Sequence, residues 1–317
     1  MFRHLRAPWR AFALLVVLSL LLVSCDSGRA QEGSAPVPLR VGAWPSVEPA
    51  LLAETIAGLL RAEGIAAEVR EFSDATSARQ ALELGDVDLL PGYTGAAWLE
   101  VLERSDPPGD MRTSFARVRE FDEREGLIWL RPRFESGLLD SPPANATFAF
   151  FVQGPPSRDA ALRTMSQLAS RLAQDPEARL CMDEDFSQRE DGRNAVYRAY
   201  GISLDRQDLA ATPAAAALAV RGGECLAALA TTTDGTSWSL GLIPLADDLS
   251  IFPAFVIAVV IDQSTLAQSG VAAALGPFSS QLTAQLLAAA NARILVAASV
   301  ADVGEDLARA LRSRAGG

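Results

Sequence analysis

The chain has 317 residues, 49% of them apolar, and a formal net charge of -11. An acidic chain without a basic run argues against nucleic acid as a partner. It contains no lysine and one histidine, His4, which removes Ser-His-Asp and Cys-His arrangements, histidine metal sites, Schiff-base lysines and the phosphate-loop lysine.

The N-terminus carries Arg3, Arg6 and Arg10, then a nearly unbroken apolar run from Ala11 to Leu22, ending in Leu22-Val23-Ser24-Cys25. A basic start, a short apolar core and small residues before a cut describe a secretory signal. The run is shorter than the ~20 apolar residues of a membrane span. Cys25 directly after Val-Ser resembles the lipobox of a bacterial lipoprotein. The expectation is a signal over 1–24 and a mature chain whose Cys25 carries lipid. A retained anchor helix with an incidental cysteine is the plainer alternative. Residues 25–38, with SGRAQEGSAPVP within them, read as a flexible tether. Cys181 and Cys225 then remain as an even pair in an exported chain, which favours a disulfide over two buried thiols.

From Leu39 the apolar pattern switches between periods of two and 3.6. Strands are expected at Leu39–Trp44, Ala67–Phe72, Val87–Leu90 and Leu127–Leu130. Helices are expected at Glu48–Ala62, Ser77–Leu84, Ala96–Leu102 and Phe115–Glu125. This alternation predicts a parallel sheet with helices on its faces. Arg131–Asn145 reads as a crossover or loop. A second series follows, with strands at Thr147–Val152, Arg179–Met182, Cys225–Ala230 and Leu240–Leu245, and helices at Met165–Ala173, Arg189–Tyr200 and Pro213–Val220. Phe255–Ile261 is a continuous β-branched run, as in a strand buried on both faces. The rest is helical, ending in Val303–Arg314.

One unit recurs. Residues 81–95 and 217–235 both read helix, Gly-acid turn, short strand, polar loop, closing on Tyr93-Thr94-Gly95 and Thr233-Asp234-Gly235. Two such turns can face one another across a cleft, although any α/β chain repeats such units.

The segment TSARQALELGDVDLLPGYTGAAW resembles the signature of the glycine betaine/choline-type substrate-binding proteins of ABC transporters. Further motifs follow in family order: Phe186 through Gly192, Thr233-Asp234-Gly235, Leu245 through Asp248, Phe252-Pro253 with Phe255, and Asn291 on a late helix. The similarity spans Leu39–Leu311. It implies an α/β fold of two lobes, the type II periplasmic-binding-protein architecture, with ligand held between them. Lobe one would be 39–130 plus 249–317, and lobe two 131–248.

The resemblance also implies a non-catalytic protein without a cofactor or metal. Its partners would be a small amine or zwitterionic solute, the transmembrane subunits of an ABC permease, and the membrane through Cys25. A sensory module binding the same ligand is an alternative. A surface hydrolase using Asp183/Asp185 or Asp247/Asp248 is a weaker one, because sequence neighbours rarely face each other at working distance.

A quaternary ammonium has no N–H, so aromatic faces hold it. By resemblance Tyr93 and Phe255 occupy cage positions, with Phe134 a third, and Arg189 grips a ligand carboxylate. Phe255 could equally be core, and Arg189 could pair with Asp185 or Asp191 on the surface. Thr94, and the amides that begin the following helix, could serve an anionic end. Asp234 suits a helix cap better than a ligand contact. The chain departs from the family at Trp44, usually Lys, at Gly92, usually Glu, and at Ala96, usually Thr. It departs again at Thr231, where an aromatic is usual before Thr233. Trp44 or Trp238 could supply a replacement wall. The expected ligand is a small cationic or zwitterionic amine.

Overall fold

The computed structural model describes residues 37–134, 142–175, 177–183, 186, 192–203, 207–210, 212–296 and 298–316. The signal, Cys25 and most of the tether lie outside them, as does Arg189.

The first sheet grows from β1 (Leu39–Ala43), β2 (Ala67–Glu71), β3 (Leu89–Tyr93), β4 (Leu127–Trp129) and β10 (Ile257–Asp262), in the order β2-β1-β3-β10-β4. The second holds β5 (Phe148–Gln153), β6 (Leu180–Asp183), β7 (Gln207–Ala210), β8 (Ala227–Thr231) and β9 (Leu242–Pro244), in the order β7-β6-β8-β5-β9. The plan is the same twice. Three parallel strands are followed by one antiparallel strand and an edge partner. The all-parallel sheet expected from the alternation is thus corrected at β10 and β5. Each enters its sheet from the opposite half without an intervening helix. It therefore starts where its neighbour β3 or β8 ends and runs against it.

Around the first sheet lie α1 (Val47–Ala62), α2 (Ala75–Glu83), α3 (Thr94–Glu100) and α4 (Met111–Asp122). The second carries α5 (Met165–Gln174), α6 (Arg193–Tyr200), α7 (Pro213–Gly222) and α8 (Gly235–Ser239). The chain then closes with α9 (Gln263–Leu266), α10 (Val271–Gln281), α11 (Ala284–Leu295) and α12 (Val300–Ala315). The stripe Leu51, Leu52, Ile56, Leu59 and Leu60 has no exposure and fills the core beneath β1, β3 and β10. The alternation in Val41, Leu89, Val259 and Ile261 supplies the facing side. A separate cluster around Phe150, Val152, Leu168, Met182 and Leu229 fills the other half.

β3 runs three residues further than expected. Pro91-Gly92 reads as a turn, and Pro lacks the N–H that a central strand needs. β1 pairs with β3 only at Leu89, however, and beyond it β3 pairs with β10 alone, Tyr93 lying opposite Ile257. The extension carries Tyr93 to the edge of the sheet. β7 lies in a stretch with no expected element.

Where the halves join, residues 142–147 and 245–256 run side by side. Phe255 N–H donates to Asn145 Oδ1 (2.6 Å), Ala146 N–H to the Phe255 carbonyl (3.0 Å), and the Thr147 hydroxyl to the Pro253 carbonyl (2.6 Å). The Thr232 hydroxyl also reaches the Asn145 carbonyl. Asp247 and Asp248 serve the same joint. Asp247 accepts from the Tyr200 hydroxyl and Phe252 N–H, and Asp248 from Ser166 N–H. Both are committed to the scaffold, which removes this pair as hydrolytic carboxylates.

Cys181 and Cys225 are bonded, closing a loop with a sequence separation of 44. In the chain-entropy account a loop of this size contributes about 4 kcal/mol by restricting the unfolded chain. Cys181→Ser with Cys225→Ser is expected to lower urea-unfolding stability by about 2–4 kcal/mol. An unchanged midpoint would show that the bridge does not stabilise this half.

Candidate functional site

The ends of β1, β3 and β8 converge where the two sheets meet, and the local sequence explains how. Ser46 is extended at the N-cap of α1, which puts Glu48 in the first helical turn. Glu48 lies on the stripe that continues through Leu51, Leu52 and Thr55, so its carboxyl points along the buried side of the helix. Tyr93 reaches it from the end of β3, and its hydroxyl donates to Glu48 Oε1 (3.0 Å). Asn291, on the buried stripe of α11, donates from Nδ2 to Glu48 Oε2 (2.9 Å) and to the Thr233 carbonyl (3.0 Å). One carboxylate and one amide thus tie together α1, β3, α11 and the loop before α8.

Burial pushes the Glu48 carboxyl above the usual range, and the polar side chains of Thr233, Asn291 and Tyr93 oppose that shift. Burial, and then the Glu48 charge, push the Tyr93 phenol well above its ordinary value. Tyr93 therefore stays a donor at any ordinary pH.

Two cavities flank this knot. An inter-lobe cavity of about 310 Å³ is bounded by Ser46 and Glu48 on one side, Thr231, Thr233 and Asp234 on the other, and Asn291 at the seam. A second, of about 280 Å³, lies between α2 and α3 and is lined by Trp44, Tyr93, Arg79 and Trp129 among others. The Trp44 and Tyr93 rings meet edge-on with centroids 6.4 Å apart.

Thr231 and Thr233 line the inter-lobe cavity, whereas Trp44 and Tyr93 line the neighbouring one. Phe255 lies over Gly95, where an added Cβ would come within 2.7 Å of its ring, so close packing at the start of α3 requires glycine. The other two aromatic and hydroxyl candidates sit elsewhere. Thr94 is fully buried, accepts from Val256 N–H and donates to the Ala254 carbonyl, both at 3.0 Å. Its hydroxyl is thereby spent on fastening the second crossover to β3, and no ligand contact is left to it. Phe134 packs edge-on against Phe115, with the Arg112 and Arg131 guanidiniums near its face. It belongs to the α4 side of lobe one, not to the cavity wall. Trp238 packs on Phe151 and donates to the Thr232 carbonyl (2.9 Å), inside lobe two. Asp234 caps α8 through Ser237 N–H (2.7 Å) while it borders the cavity.

Glu48 was not among the expected site residues, and Asn291 appeared only as a motif position. The available signal was a carboxylate and an amide on stripes that otherwise read Leu51, Leu52 and Leu287, Ala288. A polar group there needs partners.

Two half-sheets of one plan, two crossovers and a cavity between them define a type II periplasmic-binding-protein fold, a class that holds solutes between lobes and does not transform them. Residues 37–310 match the substrate-binding domain of ABC-type glycine betaine transport systems, OpuAC, and the chain belongs to that family. It is 29% identical over 265 residues to a glycine-betaine-binding protein of Pseudomonas aeruginosa, covering 81% of this chain and 82% of that one. It is 28% identical over 290 residues to the glycine betaine-binding protein YehZ of Escherichia coli, covering 88% and 90%. The apo structure of YehZ superposes with a TM-score of 0.75 at 26% identity over 88% of this chain and 99% of that one. An ergothioneine transport permease/ergothioneine binding protein, EgtU of Helicobacter pylori, is 28% identical over 255 residues, 78% of this chain and 42% of its own length.

A raised folded-state pKa means that Glu48 holds its proton to higher pH in the folded protein than in the unfolded chain. Its contribution to stability is fully present below the ordinary Glu value and is lost as pH rises through the folded value. Asp110 and Asp248 are lowered by hydrogen bonds from Thr113 and Ser166 and run the other way, but they are common to wild type and variant. The melting-temperature difference, wild type minus Glu48→Gln, is therefore expected to fall as pH rises above the ordinary Glu range. A difference that rises or stays flat would contradict this placement of the carboxyl.

Proposed function

We propose that the protein captures a small quaternary-amine or zwitterionic solute between its lobes and delivers it to the transmembrane subunits of an ABC importer. Lobe one comprises 39–130 and 249–317, and lobe two 131–248. The observation that carries this reading is the inter-lobe cavity. Its volume of about 310 Å³ falls at the small end of the ~300–1,000 Å³ typical of ligand sites, and the Glu48 carboxylate, held by Tyr93 and by an Asn291 that also bonds the Thr233 carbonyl, stands in its wall. Family membership and the names of the relatives point to the same solute class. Lobe closure around the solute would be the form that the permease reads.

Such a protein works outside the cytoplasmic membrane. No helix among the described residues is long and apolar enough to cross a bilayer. We place the attachment at Cys25, through lipid added after removal of residues 1–24. Cys25→Ser is expected to move the protein from the membrane fraction to the soluble extracytoplasmic fraction. Continued sedimentation with membranes would rule out the lipid anchor.

Isothermal titration with glycine betaine, choline, carnitine and a thio-betaine tests the solute class. Saturable binding of at least one is expected, and Tyr93→Ala is expected to weaken it about tenfold. It would do so by removing the hydroxyl that holds Glu48 in the cavity wall. No saturable heat from any of the four overturns the reading.

A further inference from the structure

We propose that the cavity between α2 and α3 is a second ligand site, separate from the inter-lobe cavity, and that it takes a small uncharged aromatic molecule. Its volume is about 280 Å³, and an apolar cavity of about 150 Å³ already takes benzene. The solute held between the lobes plays no part in this site.

Small residues open the space and rings wall it. Gly92, Ala96 and Ala97 leave room along β3 and α3, while Trp44, Tyr93 and Trp129 supply aromatic surface. At Gly92 an added Cβ would lie 2.4 Å from Val260 Cγ2 and 2.8 Å from the Trp129 ring. Glycine there lets Trp129 stand close against β3. That ring is held in place. Its indole N–H donates to Asp122 (2.6 Å), which is fully buried and accepts two further bonds from Arg79, at 2.6 and 2.8 Å. Trp44, Gly92 and Ala96 are also three of the four positions at which the chain departs from the pattern it resembles, and all three line this cavity. Where that pattern carries Lys and Glu, this chain carries a ring and no side chain, which exchanges charge for apolar room.

The polar atoms of these walls are already engaged. Arg79 gives its Nε to Glu83 (2.7 Å) and both terminal nitrogens to Asp122. Asp122 is shared between Arg79 and Trp129. The Tyr93 hydroxyl is held by Glu48, which lines the inter-lobe cavity, so Tyr93 contributes its ring to this one. A charge placed among them would lose water and gain no strong partner. Glu83 and Glu100, the other charged lining residues, are exposed. There they hold a cation only weakly and repel an anion. An uncharged ring instead gains edge and face contacts with three aromatic side chains. Thr76 and Gln80, exposed on α2, can meet a polar edge of the ligand at the mouth.

Titration of the full extracytoplasmic protein with indole, protonated tryptamine and indole-3-acetate, followed by heat and by the tryptophan indole N–H resonances, tests this. Indole is expected to bind saturably and to move the resonances of Trp44 and Trp129, leaving that of Trp238 in lobe two unmoved. Both charged analogues are expected to bind more weakly than indole. Ala96→Leu, which fills the space, is expected to weaken indole binding about tenfold or more. The proposal is overturned by the absence of saturable indole binding, or by movement of Trp238 in place of Trp44 and Trp129. It is equally overturned by a charged analogue that binds as tightly as indole or more so, or by undiminished binding to folded Ala96→Leu. If that variant does not fold, the wild-type resonances and the ranking of the three probes decide. Capture of a solute between the lobes is read with other ligands, so either reading can fail without the other.

Discussion

A carboxylate at the junction of two lobes is costly to desolvate, and the site is organised around meeting that cost. The groups that hydrogen-bond Glu48 among the described residues are a phenol and an amide, and that amide also holds the Thr233 carbonyl. Each comes from a different element, so each element's position is constrained by the same pair of oxygens. Tyr93 must stand at the very end of β3 to reach, which is why the strand continues through Pro91 and Gly92. Asn291 must sit on the inward stripe of α11. Thr233 must lie at the tip of the loop after β8. Hydrogen bonds to a charged group are among the stronger ones in a protein, so this knot fixes the geometry of the cleft more firmly than apolar contact alone would.

The rest of the molecule supports that junction from two sides. The two sheets repeat one strand order, and in each the antiparallel strand is the one that arrives from the other half. The arriving segments are fastened to each other by Asn145, Ala146, Thr147, Pro253 and Phe255, close to the cavity. Thr94 adds a bond from β3 to the second segment. The joint between the lobes and the wall of the site therefore share neighbouring residues. A change of angle between the halves cannot leave the cavity unaltered, which is the property a solute trap needs.

Much of this architecture was legible in the chain. Period-two and period-3.6 patterns placed nearly every strand and helix within a few residues, and of the repeated helix–turn–strand–loop units the one at 217–235 ends on the inter-lobe cavity while the one at 81–95 ends on its neighbour. Three things were hidden, for physical reasons. The end of β3 was masked because Pro-Gly is normally a turn, and only the one-sided pairing with β10 makes it admissible. The direction of β5 and β10 depends on which half the chain comes from, which local periodicity cannot encode. The roles of Glu48 and Asn291 depend on contacts 243 residues apart in sequence. Conversely, Thr94 and Phe134 were reasonable candidates from their neighbours, yet Thr94 is buried against the second crossover and Phe134 packs on Phe115. A hydroxyl beside a cleft and an aromatic beside a proline look alike in sequence whether they face solute or scaffold.

The helix that carries Asn291 has a divided allegiance. It follows α10 along the chain, yet it presses so closely on α8 that an added Cβ at Gly235 would lie 2.4 Å from the Ala292 nitrogen. That intimacy welds the amide to the half bearing Thr233, while Glu48 belongs to the opposite half. One side-chain amide thus joins the carboxylate of α1 to the loop before α8.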